Sequence, residues 1–136
     1  MDLIKSIRIA AAGMRAQGLR LKVIAENLAN ADSLATTPGA EPYRRKLVTF
    51  QNVLDRKLNV HMVKVGPVQY DTSEFKKRYD AGHPAADKDG FVRMPNVNAL
   101  IEMMDMRQAQ RSYEANLGVI DVTKRMLTRT IDLLRD

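Results

Sequence analysis

The sequence predicts a mainly α-helical chain with a small β-rich middle. Its long N- and C-terminal helices are expected to pack as a coiled-coil-like pair, with short strands and loops between them. Three observations carry this. Both ends show apolar ladders at alternating three- and four-residue spacing. The middle is β-branched and broken by Gly and Pro. Finally, only 5% of the 136 residues are aromatic, while eight Met and many Ala and Leu supply the apolar side chains, a mixture that suits helix.

The first element is read as one amphipathic helix in segment 1–30. Its ladder is Ile4, Ile7, Ala11, Met14, Gly18, Leu21, Ala25 and Leu28, all apolar or small. Lys5, Arg8, Arg15, Arg20, Lys22 and Glu26 lie on other faces. Gly13 and Gly18 each cost about 1 kcal/mol of helix propensity against Ala. Together with Ala10, Ala11 and Ala12 they leave a smooth surface for close helix approach. Asn30 tolerates the left-handed conformation and is the expected terminator.

Segment 31–94 is read as a loop followed by strands. Pro38-Gly39 and Glu41-Pro42 mark turns. Leu47 and Val48, Phe50 to Val53, Val60 to Val65, and Val68 with Tyr70 read as short strands. Residues 80–90, with Gly82, Pro84 and Asp89-Gly90, are expected to turn.

Segment 95–136 is the clearest. Asn98 suits an N-cap, and no Pro follows it. The ladder Ala99, Met103, Met106, Gln110, Tyr113, Leu117, Ile120, Lys124, Leu127, Ile131 and Leu134 is apolar at nine of eleven positions, which decides for one long helix. A second stripe, Val119, Val122, Met126 and Leu133, widens the apolar face beyond a two-helix seam. A middle of about fifty residues cannot cover both ends, so the surplus reads as an interaction surface.

Net charge is +6, spread over 1–30 and 41–94, while 95–136 is balanced with six Lys/Arg against six acids. This permits a nucleic-acid or anionic partner without demanding one. The basic triplets Arg44-Arg45-Lys46 and Lys76-Lys77-Arg78 have only Tyr43 and Tyr79 beside them, and no basic helix leads into the heptads; nucleic acid is therefore not expected. The absence of Cys excludes disulfides and thiolate metal sites. His61 and His83 lack matched ligands, and Asp87-Lys88-Asp89-Gly90 lacks the terminal acids of a calcium loop. Neither a nucleophile elbow nor a phosphate loop is present, and Glu74, Asp80 and Asp87 read as surface charge. No enzyme activity, cofactor, metal or small-molecule substrate is expected. With no apolar run of about 18 residues and no cleavable leader, composition alone points to the cytoplasm.

Asn27-Leu28-Ala29-Asn30-Ala31-Asp32 resembles the motif that closes the first helix of bacterial flagellar axial proteins. Pro42-Tyr43-Arg44-Arg45-Lys46 and His83-Pro84 through Gly90-Phe91-Val92 are similar to the C-type subunits of the proximal rod. So, nearly residue for residue, are Pro95-Asn96-Val97-Asn98, Glu102-Met103, Asp105-Met106 and Arg111-Ser112-Tyr113-Glu114-Ala115-Asn116. Thr37-Pro38-Gly39 departs from the pattern by following an added Asp32–Thr36 segment, and Phe91 stands where Tyr is common.

The resemblance implies a structural subunit of the flagellar basal body, exported without a cleaved signal and polymerised in the periplasm into a hollow, torque-transmitting rod. This replaces the cytoplasmic expectation. The implied partners are copies of itself, sister rod subunits and membrane-embedded base components. The expected assembly residues are Ile4, Ile7, Met14, Leu21, Asn27, Leu28 and Asn30 at one end. At the other they are Met103, Met106, Tyr113, Leu117, Ile120, Leu127, Ile131 and Leu134.

Overall fold

The computed structural model describes residues 2–135. Helix α1 runs over Leu3–Ala29, strands follow at β1 (Lys46–Leu47), β2 (Phe50–Asp55), β3 (Val60–Val65), β4 (Gln69–Tyr70), β5 (Lys77–Tyr79) and β6 (Phe91–Arg93), and α2 spans Ala99–Arg135. The two long helices and the short-strand middle are those the sequence predicts. β5 and β6 are additions, because their three-residue strands are too short to show a period.

Both helices are capped at their starts. The Asp2 carboxylate accepts from the amides of Ile4 and Lys5 at 3.1 and 3.4 Å. Asn98 does the same for Leu100 and Ile101, as its position in the sequence foretold. Asn30 ends α1 differently from expectation. Its side-chain amide donates to the Glu26 carbonyl at 2.8 Å, and Asn59 is the sole non-glycine with positive φ among the described residues. The carbonyls at the helix end are met by tightened turns instead, Ala31 N donating to Leu28 O and Ser33 N to Asn30 O.

The chain divides into two compact units, one of Met1–Leu21, Thr49–Gly66 and Arg107–Asp136, the other of Lys22–Val48 and Pro67–Met106. In the first, the helix stretches run antiparallel: Gly13 lies against Asn116, and Arg20 donates to Gln108 at 3.4 Å. A Cβ on Gly13 would sit 2.8 Å from Asn116 Nδ2, so a larger residue there requires the Asn116 side chain to shift. The buried positions of the unit are Ala10, Ala12, Ala16, Ala109 and Thr123, none larger than threonine.

The pairing surface therefore differs from the ladders read in the sequence. On α1 the ladder is half-buried at Ile7, Met14 and Leu21 and exposed at Ile4. On α2 the buried series Glu102, Ala109, Thr123 repeats at multiples of seven, one position from Met103, Gln110 and Lys124. A hydrophobic ladder marks the greasiest stripe, whereas close packing selects the smallest one.

The same unit holds the β2–β3 hairpin, registered from Phe50↔Val65 to Asp55↔Val60. Its turn is built by Asp55, whose carboxylate accepts from the amides of Lys57 and Leu58, and by Asn59 at φ 50°. His61 Nδ1 meets Asn52 Oδ1 across the strands at 3.0 Å. Between the hairpin and α1 lies a cleft of about 490 Å³, lined by Ala12, Ala16, Leu19, Leu54 and Val65 among others.

The second unit contains two further antiparallel pairs, β1 with β4 and β5 with β6. Val23, Ile24 and Val92 are its buried aliphatic side chains. Pro38-Gly39 forms the expected turn, with Gly39 at φ +83° and Ala40 N donating to Thr37 O. The segment after β5 also turns as expected: Asp87 accepts from the amides of Asp89 and Phe91. Its carboxylate is thus spent on the turn.

The two helical glycines give a test of the packing. Nothing lies within 4 Å of a Cβ on Gly18. Gly18→Ala should stabilise the isolated chain by about 0.5–1 kcal/mol through helix propensity. Gly13→Ala should gain clearly less, because Asn116 must move, and Gly13→Leu should destabilise. Urea titration followed by circular dichroism reads all three.

Candidate functional site

In the second unit, polar side chains converge where the end of α1, strand β1 and the start of α2 meet. Asn27 is 1% exposed. Its amide nitrogen donates to Lys46 O and Glu102 Oε2, at 2.9 and 3.1 Å. Its oxygen accepts from Lys46 N and Tyr43 Oη, at 2.9 and 3.0 Å. All four hydrogen-bonding positions of the side chain are used.

Glu102, also 1% exposed, accepts from Arg45 Nε on its other oxygen. The Arg45 guanidinium extends to Asp71 and Asp105, at 3.5 and 3.6 Å. Asn96 accepts from Arg45 N at 2.7 Å and donates to Asp71 O and Ser73. Arg44 donates to Asp71 O and stacks 4.3 Å over the Phe75 ring, and Lys46 pairs with Glu26 at 2.9 Å. The first basic triplet is thus committed to internal ion pairs.

The charges of this cluster are held in place. The Lys46 hydrogen bond and charge keep the Glu26 carboxyl below its ordinary pKa, and Glu26 in turn raises that of Lys46. Hydrogen bonds from Ser73, with Arg45 behind them, lower that of Asp71. Burial opposes the Arg45 charge, but Glu102 and Asp71 outweigh it. Burial also raises the pKa of Tyr43. The arrangement is a clamp between helix ends and strand. It places no unpartnered nucleophile or base beside a cavity.

Of the residues expected at an assembly surface, Asn27 lies inside this clamp. Asn30 is half-buried at the helix end, and Leu28 is half-buried. Met106, Tyr113, Ile120 and Leu127 are half-buried along α2. Met103, Leu117, Ile131 and Leu134 are exposed, Leu134 to 84%. So are Val119, Val122, Met126 and Leu133 of the second stripe.

Comparison with known proteins agrees with where these features lie. The model of flagella basal body rod proteins matches residues 7–33, covering most of α1. A second, for the C-terminal part of flagellar basal body rod FlgEFG proteins, matches residues 88–133 and so most of α2. The flagellar basal-body rod protein FlgC of Agrobacterium fabrum is 53% identical over 94% of this chain and 92% of its own. This chain belongs to the FlgC family of flagellar basal-body rod proteins. FlgC of Salmonella typhimurium is 41% identical over 98% of both chains, and that of Bacillus subtilis 36% identical over 98% of this chain and 99% of its own.

Within this FlgC-family chain, the clamp explains several residues that sequence reading quoted only as pattern. Asn27, Tyr43, Arg45, Asn96, Glu102 and Asp105 come from three distant stretches and meet at one point. A signal existed in part: Asn27 and Glu102 are polar residues flanked by the apolar ladders Leu21–Leu28 and Ala99–Met106. Their pairing was not readable, because nothing local links positions 75 residues apart.

Arg45→Ala would strand the Glu102 carboxylate in a buried site, with an expected loss of about 3–5 kcal/mol in unfolding free energy. Asn27→Ala should cost about 1–3 kcal/mol by orphaning its partners. The depressed pKa values of Glu26 and Asp71 give stability that is present above the ordinary carboxylate range. It is lost as pH falls through about 4–5 and below. The raised pKa of Lys46 adds stability present below the ordinary lysine range and lost as pH climbs past it. A urea midpoint that fell on acidification in wild type but not in Glu26→Gln/Asp71→Asn would confirm this; an unchanged acid loss in the double variant would refute it.

Proposed function

We propose that the chain is a structural subunit of the flagellar basal-body rod, polymerising through its terminal helices into a hollow shaft that transmits torque. The carrying observation is the division of labour on the helices. Small and polar residues join them within the chain, while Leu117, Val119, Val122, Met126, Ile131 and Leu133 stay exposed on α2. Water-exposed aliphatic stripes of this length favour neighbours that cover them. Interlocked long helices resist bending and shear by spreading load over many contacts.

In this reading the neighbours are copies of the same chain, sister rod subunits and components of the membrane-embedded base. The rod lies in the periplasm, and the chain reaches it without a cleaved signal peptide. No helix among the described residues is long and apolar enough to cross a membrane. Two features support a non-catalytic role. Glu74 is an exposed carboxylate, and Asp80 is engaged by Arg78 at 3.7 Å. Substituting either should leave motility intact.

Leu117→Asp is the sharpest test, because Leu117 is exposed in the single chain. The isolated variant should keep wild-type helicity, while cells carrying it should be non-motile and lack the subunit in purified basal bodies. A charge buried at a subunit contact without a partner costs several kcal/mol. Motile cells with normal incorporation would refute assembly through this face. Leu127→Asp, at a half-buried position, should block assembly and also destabilise the monomer.

A further inference from the structure

The turn between β5 and β6 contains the dipeptide Asp89-Gly90. In such a pair the glycine amide nitrogen can attack the aspartate Cγ, because the following residue has no side chain to hinder it. A cyclic succinimide forms with loss of one water. Hydrolysis takes a water back and opens either carbonyl, giving aspartate again or isoaspartate, in which Cβ has moved into the main chain. The sequence of steps needs no oxidant and leaves the mass unchanged.

The electrophile is available in the folded chain. Asp89 is exposed, and its carboxylate makes no hydrogen bond or ion pair among the described residues. The nucleophile is restrained. Gly90 is buried, its N–H donates to Asp87 O at 3.0 Å, and its carbonyl accepts from Asp80 N at 2.8 Å. Asp87 also holds the amides on either side, Asp89 N and Phe91 N donating to its Oδ1 at 3.0 and 2.8 Å. Cyclisation requires the Gly90 nitrogen to lose its proton and turn toward Asp89 Cγ, so these contacts must open first.

Glycine is also the residue that position 90 requires. Its φ is +81°, and a Cβ there would stand 2.8 Å from Tyr79 Cε2 and 3.2 Å from Ala81 Cβ. The turn thus needs glycine where glycine makes the chemistry easiest.

We propose that Asp89-Gly90 is a covalent modification site, which converts to isoaspartate in the unfolded chain and is guarded by its own turn in the folded one. Once formed, isoaspartate places an extra main-chain atom between Asp89 N and Gly90 N, both of which must reach Asp87. The turn then cannot close on Asp80, and Phe91 loses its place opposite Tyr79 in the β5–β6 pair. The modification therefore records time spent unfolded and bars return to the native pairing.

The test incubates the full chain at neutral pH, folded in buffer or unfolded in urea. Isoaspartate is read by methyl transfer from S-adenosylmethionine with protein isoaspartate methyltransferase and is located by peptide mapping. The unfolded chain should accumulate it at position 89. The folded chain should do so at least about tenfold more slowly, a factor set by how seldom the turn opens, and exchange of the Gly90 amide should be slowed to a like extent. Asp89→Glu, whose cyclisation needs a larger ring, should remove the signal from that peptide. Asp87→Ala should speed the reaction in the folded chain and leave the unfolded rate unchanged.

Equal rates in folded and unfolded wild type, or no isoaspartate at position 89 in urea, would overturn the proposal. So would an Asp87→Ala chain that folds by circular dichroism yet reacts no faster than wild type. Should that variant not fold, wild-type Gly90 exchange decides, and an amide exchanging as fast as in urea sinks the guarding turn. Modified chains returned to buffer should leave the Gly90 and Phe91 amides open to exchange; native protection there would refute the loss of pairing.

Discussion

The rest of the structure depends on how the two helices meet. In the first unit Gly13 lies against Asn116 and Arg20 reaches Gln108, and the unit's buried positions, Ala10, Ala12, Ala16, Ala109 and Thr123, are all small. A seam of small residues brings backbones close but removes little apolar surface from water, since each buried alanine contributes far less than the roughly 1.5–3 kcal/mol of a buried leucine or isoleucine. Close approach and large hydrophobic gain cannot be had at the same positions. Several large side chains, among them Leu117, Val119, Val122 and Met126, are left exposed on α2.

The clamp at the other end of the helices compensates in specificity more than in stability. A buried Arg45–Glu102 pair repays its desolvation only when geometry and hydrogen bonding are complete, which here they are. Such a network has one solution. Asn27 reads both the amide and the carbonyl of Lys46, so a shift of β1 by a single residue would break two hydrogen bonds at once. The clamp therefore fixes which segments come together within its unit.

Much of this was legible beforehand, for physical reasons that differ by element. The long helices announce themselves because a 3.6-residue period sustained over thirty or more positions is hard to mimic, and the Asn98 cap follows from its chemistry. The hairpin shows in β-branched runs on either side of Arg56–Asn59. The pairing face of the helices does not, because Ala109 and Thr123 look unremarkable beside Met103 and Leu117. Hydrophobicity ranks what prefers burial, whereas the fold buried what fits. The β5–β6 pair and the clamp depend on contacts between distant segments, which no local pattern encodes.

In the assembly proposed above, the energetics of the exposed faces set how a chain would add. Six aliphatic side chains along α2, each about half exposed or more, would gain on the order of 6–9 kcal/mol if covered. Association of two bodies costs an amount of comparable size, about 4–15 kcal/mol, before any side chain is ordered. One such contact is therefore marginal, and a lone encounter between two chains gains little. Several contacts made at once share a single loss of translational and rotational freedom, so the balance turns favourable only when a chain enters a site already bounded by more than one neighbour. On the assembly proposed above, a chain with these exposed stripes would add to an existing end more readily than it starts a new one.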